Sequence, residues 1–137
     1  MTNKELLFEK AKKDSVNSYS PYSHYIVSAS ILHKDGTIIS GQNIENASFS
    51  LTMCAERCAL FKSRSMGYKN DDIVALLIYT PIKDSIPYPC GACRQVMAEL
   101  MNMDATVYVA NDDVIEEHKV ADFLPYSWEL KQWNTEL

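Results

Sequence analysis

Three cysteines and one glutamate are the residues of this 137-residue chain best suited to chemistry: Cys54, Glu56, and the pair in Pro89-Cys90-Gly91-Ala92-Cys93-Arg94. A tetrahedral Zn²⁺ held by three protein ligands keeps its fourth corner for water, whereas a fourth protein ligand closes the site. Cys90 and Cys93, spaced as C-x-x-C, can reach one ion from the first turn of a helix. Cys54 would come from a second helix start and bring Glu56 along two residues later. The carboxylate then stands close enough to exchange protons with water at the ion without being a ligand. These parts predict a hydrolytic centre with one zinc per chain. Zinc brings the pKa of bound water from about 16 to about 7. Glu56 would take that proton, deliver it to a ring nitrogen of the substrate, and help an amine leave as ammonia.

Three thiolates and Zn²⁺ sum to a net negative charge, which weakens the metal as a Lewis acid. Two features can offset this. Both ligand clusters are placed to begin helices, whose N-termini carry partial positive charge. Arg57 and Arg94 also stand next to ligands, and a guanidinium donating to a thiolate draws charge off sulfur. Arg57 is the preferred candidate.

Two rival readings use the same residues. Cys90-Gly91-Ala92-Cys93 alone is also the pattern of a redox dithiol, although that reading leaves Cys54 and Glu56 without a task. Cys58 lies four residues after Cys54, on the same helix face. A closed four-cysteine zinc site in a non-catalytic protein is therefore the second rival. A packed, inert Cys58 is the simpler expectation.

The elements that must position these residues follow from pattern. Thr2 and Glu5 form a capping box for an opening helix with Leu6, Leu7, Ala11 and Val16 as its apolar stripe, and Pro21 ends that segment. Val27, Ala29 and Ile31 alternate with Ser28 and Ser30, and Asp35-Gly36 turns the chain into Thr37 to Ser40 as a hairpin. Gly41 to Met53 reads as a polar loop where substrate contacts are expected. Cys54 to Met66 is a helix ending at Gly67. Ile73 to Tyr79 is a continuous apolar run, as in a strand buried on both faces. A proline-rich loop leads to a helix from about Gly91 to Met101. A strand over Thr106 to Ala110, a weaker one near Ile115 and a short helix over Val120 to Leu124 complete the series. The tail from Tyr126 carries Trp128, Leu130 and Trp133 and is compatible with a helix. Strands alternating with helices imply an α/β layered fold.

Bulk properties narrow the class. One domain over residues 1–137 is expected at this length, with 47% apolar and 23% charged residues. The net charge of −5 and the lack of a basic stripe disfavour nucleic acid as a partner. No apolar run approaches the roughly 20 residues that span a bilayer, and the opening residues lack a secretory layout, so a cytoplasmic location is expected. His24, His33 and His118 are scattered and read as surface or turn residues.

The runs Cys54-Ala55-Glu56-Arg57 and Pro89-Cys90-Gly91-Ala92-Cys93-Arg94-Gln95-Val96 resemble those of the small zinc cytidine deaminases. So do Pro21-Tyr22-Ser23, Gly41-Gln42-Asn43-Ile44-Glu45-Asn46-Ala47 and Leu124-Pro125. The resemblance implies a three-layer α/β/α fold with a mixed, roughly five-stranded sheet. It also implies hydrolysis of cytidine and deoxycytidine to uridine and deoxyuridine, in pyrimidine salvage. A homotetramer with shared active sites goes with that family. By motif, Cys54, Cys90 and Cys93 bind zinc, Glu56 shuttles protons, Asn43 and Glu45 hold the ribose hydroxyls, and Ala55 meets the base through its backbone. Tyr25 falls at a base-packing aromatic and Trp128 at an aromatic that closes the site from another subunit. Ser28-Ala29-Ser30 replaces the usual Gly-Ala-Ala, and Cys58 a common Thr, which bears on pocket size and substrate preference. A blasticidin-S-type deaminase shares the metal motifs, but Asn43 with Glu45 favours a ribonucleoside.

Overall fold

The first helix, α1 (Asn3–Asp14), starts where the capping box places it: Thr2 Oγ1 accepts from the Glu5 amide and Glu5 returns a carboxylate to the Thr2 amide. Leu7 and Ala11 carry the buried stripe, with Phe8 beside them. Val16 does not join it. It falls in a 3-10 turn, Ser15–Asn17, that rotates it into solvent, and Leu6 is exposed as well. The computed structural model describes residues 1–130, so Trp133 lies outside the described residues.

The strands are β1 (Ser28–His33), β2 (Ile38–Gln42), β3 (Ile73–Tyr79), β4 (Thr106–Ala110) and β5 (Ile115–Lys119). They form one mixed sheet in the order β2-β1-β3-β4-β5. Only β3 and β4 run parallel, joined through helix α3 (Gly91–Leu100); the other pairs are antiparallel. β2 extends through Gly41 to Gln42, two residues into the stretch read as loop.

Alternate residues of the strands face two different helix layers. Leu32, Ala75, Leu77 and Tyr79 pack against α1, whereas Ala29, Ile31, Leu76, Ile78, Val107 and Val109 pack against Ala55, Ala59, Leu60 and Met97. The second layer holds α2 (Ala55–Ser65), α3 and the short α4 (Val120–Phe123). The result is the expected three-layer α/β/α arrangement. Ser28 and Ser30 alternate with apolar residues, yet both are fully buried, because α1 covers their face. Ser30 Oγ donates to the Leu7 carbonyl at 2.7 Å, so its hydroxyl satisfies a backbone acceptor instead of water.

His33 corrects the surface reading of the histidines. It is buried at the end of β1, with Nδ1 at 2.9 Å from the Thr37 carbonyl and Nε2 at 2.7 Å from Ser63 Oγ. A carbonyl only accepts, so Nδ1 carries the proton and Nε2 accepts the Ser63 hydroxyl. That bond ties the far end of α2 to the β1–β2 hairpin.

Candidate metal centre and pocket

Cys54 and Cys90 occupy the N-cap positions of α2 and α3, and Cys93 lies in the first turn of α3. Neither cap uses its side chain on the helix amides, so both sulfurs are free to point at a common centre. The three Sγ atoms lie within 4.8 Å of one another, and Cys54 and Cys90 are 3.8 Å apart. A tetrahedral ion with sulfur at about 2.3 Å sets its ligand sulfurs about 3.8 Å apart. The donor set therefore fits zinc. All four cysteines are free thiols, and Cys58 is not part of the sulfur cluster among the described residues.

The charge around these sulfurs fits as well. Arg57 Nη2 donates to Cys54 Sγ at 3.4 Å. The Cys54 thiol is drawn down to about 5, first by its hydrogen bond with Cys93 and then by Arg57; Cys93, the donor in that pair, is pushed up. Arg57 Nε is buried without a hydrogen-bond partner among the described residues. One guanidinium beside three thiolates and a divalent ion brings the group to neutrality. Arg94 is occupied elsewhere, donating to the carbonyls of Pro89 and Phe123. Arg57→Ala is expected to lower turnover about 10- to 100-fold, the usual cost of removing an outer partner of a metal ligand, with zinc retained. Unchanged turnover at full zinc content would defeat that role for Arg57.

Glu56 is 4% exposed, and burial raises its carboxyl to about 7. It lines a cavity of about 420 Å³ together with Cys54, Ala55 and Cys90, a size suited to a small-molecule ligand. Asn43, Glu45 and Tyr25 line the same cavity. Asn43 Oδ1 accepts from Ser18 Oγ at 2.5 Å and the Val27 amide at 3.0 Å, and Nδ2 donates to the Tyr25 carbonyl at 2.7 Å. An amide nitrogen carries two hydrogens, so one donor is left for a ligand. Glu45 accepts from the Ser23 hydroxyl and from the amides of Tyr22 and Ser23. These bonds, with that of the Ser23 side chain first, hold its carboxyl below the ordinary range.

Trp128 is 67% exposed and is not among the cavity-lining residues, and Tyr126 to Leu130 form no helix. His24 takes a left-handed backbone conformation beside the pocket but does not line it. Sequence reasoning gave no role to Ile86, Pro87 and Tyr88, which form a wall of the cavity. Their position immediately before Pro89-Cys90 was the available signal.

Cys58 sits between Ala55 and Ala59, its Cβ against Gly41 of β2, and burial raises its thiol. Cys58→Ser is expected to keep both zinc and turnover. Loss of zinc from that variant would restore the closed four-cysteine reading.

Residues 1–110 match the family described as "Cytidine and deoxycytidylate deaminase zinc-binding region". A cytidine deaminase of Halalkalibacterium halodurans is 44% identical over 133 residues, covering 96% of this chain and 98% of the relative. The crystal structure of cytidine deaminase from Burkholderia pseudomallei superposes with a TM-score of 0.87 at 36% identity, over 93% of this chain and 100% of that one. A blasticidin-S deaminase of Bacillus cereus is more distant, 27% identical over 128 residues, with 89% of each chain covered.

Proposed function

The chain belongs to the cytidine and deoxycytidylate deaminase family, and from that membership we propose that it hydrolyses cytidine and deoxycytidine to uridine and deoxyuridine with release of ammonia. One observation carries this reading. Cys54 and Cys90 of the three-sulfur cluster and the buried Glu56 line a single cavity with the polar pair Asn43 and Glu45.

Cys54, Cys90 and Cys93 would hold the zinc, which supplies a Lewis acid that makes water nucleophilic near neutral pH. Glu56 accepts a proton from the attacking water and gives it to the ring nitrogen beside the amine-bearing carbon. Water's second proton goes to the departing amine through the same carboxylate, so one water enters and one ammonia leaves. A carboxyl raised to about 7 by burial suits both directions. The free N–H of Asn43 and the ionised Glu45 suit a pair of sugar hydroxyls, one accepting and one donating. Tyr25 packs on the base and Ala55 meets it through the backbone. This assignment gives the Asn43 and Glu45 pair a task that blasticidin S or free cytosine would not.

The same reading places the protein in the cytoplasm, in pyrimidine salvage, as a homotetramer. No helix among the described residues is long and apolar enough to cross a membrane. Trp128, exposed and not among the residues that line this chain's cavity, is consistent with closing the site of another copy.

The test is ammonia release from a panel of cytidine, deoxycytidine, cytosine and blasticidin S, with Glu56→Ala as the blank. Turnover is expected for the two nucleosides alone. Cytidine left untouched while another amine is processed would overturn the substrate assignment.

A further inference from the structure

The loop before the second metal-binding helix is anchored more firmly than a connector needs to be. Asn111, buried at the end of β4, donates from Nδ2 to the Ser85 carbonyl at 2.9 Å, and Ser85 Oγ meets Tyr25 Oη at 2.6 Å. Three residues on, Tyr88 Oη donates to Glu116 Oε1 at 2.7 Å, and His118 Nε2 donates to that same oxygen at 2.9 Å. Those two bonds, His118 first, hold the Glu116 carboxyl below its ordinary range. The Tyr88 ring also stands edge-on to His118 at 6.2 Å. Glu116 and His118 belong to the outer strand β5 and are remote in sequence from the metal motifs.

Tyr88 is itself half exposed and lines the cavity. A phenol held at its oxygen by a carboxylate and at its ring by an imidazole has little freedom to swing aside. On the substrate reading given above, Glu56 and the Ala55 backbone take the nitrogen flank of the amine-bearing carbon. The sugar points to Asn43 and Glu45. The other flank of that carbon, position 5 of the base, is then left to the wall of Ile86, Pro87 and Tyr88, which lines the cavity together with Cys90.

We infer that Tyr88 is a specificity-determining residue that excludes cytosine nucleosides substituted at position 5, and that Glu116 is the positioning residue that fixes it. Tyr88 touches the substrate and Glu116 acts only through the Tyr88 hydroxyl.

The experiment measures kcat/KM for cytidine and for 5-methylcytidine, with zinc content checked, in the wild-type chain and in Tyr88→Ala, Tyr88→Leu, Tyr88→Phe, Glu116→Ala and Glu116→Gln. Tyr88→Ala is expected to raise the 5-methylcytidine to cytidine ratio roughly 10-fold, the scale on which an apolar wall discriminates one methyl group. Tyr88→Leu keeps the loop packed while shortening the wall and should move the ratio the same way. Glu116→Ala and Tyr88→Phe should both raise the 5-methylcytidine to cytidine ratio, by less than Tyr88→Ala and through KM with little change in kcat, and combining them should add nothing further. Glu116→Gln keeps an oxygen that accepts from the phenol and should behave as wild type. An unmoved ratio in both Tyr88→Ala and Tyr88→Leu, with cytidine still turned over, overturns the wall. A ratio unmoved in Glu116→Ala, or moved as far in Glu116→Gln as in Glu116→Ala, overturns the positioning role. A wild-type chain inactive on cytidine would instead remove the substrate reading on which the wall rests.

Discussion

Glu56→Gln is expected to lower kcat about 10³- to 10⁴-fold, the upper range for loss of a general acid–base group. The upper range applies because one carboxylate is assigned every proton transfer, so no second group is left to share the work. Glutamine matches the shape of the side chain and removes only its ability to exchange a proton. Zinc content should stay at one per chain, because the sulfur cluster does not include Glu56. Stability should hold or rise slightly, since burial already disfavours the charged form of this carboxyl. Single-turnover assays beside metal analysis and thermal melts separate these effects. A variant keeping more than about a tenth of wild-type turnover would put the acid–base work elsewhere. One that loses its zinc would mean that Glu56 supports the metal and not the proton.

Much of the fold was legible because its signals are local. The Ile73 to Tyr79 run coincides with β3, which is covered on both faces, and an unbroken apolar strand is the sequence form of that condition. The Thr2–Glu5 box marks the start of α1 because both of its hydrogen bonds lie within three residues. The sulfur cluster was legible for a similar reason, since C-x-x-C at a helix start puts two thiols on one turn.

What stayed hidden depends on partners distant in the chain. Alternating serines in β1 predict one wet face, and only the docking of α1 shows that this face is dry. His33 finds Ser63 thirty residues away, so no window of sequence around it reveals a buried imidazole. Glu45 looked like a ribose contact by motif alone. Its orientation comes from the Tyr22 and Ser23 amides, more than twenty positions earlier. Tyr88 was given no role because the carboxylate that holds its phenol lies on a different element, and only its place before Pro89-Cys90 pointed toward the cavity.

The same dependence on distant contacts makes Gly41→Ala the most damaging substitution expected outside the chemistry. A Cβ at Gly41 would stand 2.5 Å from the Ala59 amide nitrogen, 2.9 Å from Cys58 Cβ and 3.0 Å from the Ala55 carbonyl oxygen. Two of these are backbone atoms of α2, so no side chain can rotate to make room. β2 and α2 are in backbone contact there, and only hydrogen at Gly41 permits it. The helix must move outward, and it carries Cys54 at its cap and Glu56 in its first turn. Overpacking of this kind costs about 3 kcal/mol. With a urea slope near 2 kcal/mol/M, the midpoint should fall by roughly 1.5 M. Zinc retention should weaken alongside, because Cys54 shifts relative to Cys90 and Cys93 while the α3 pair stays in place. Urea melts and metal analysis of the purified variant read both effects. A midpoint within about 0.3 M of wild type would show that β2 and α2 can part without cost, and would break the link between the sheet edge and the geometry of the metal centre.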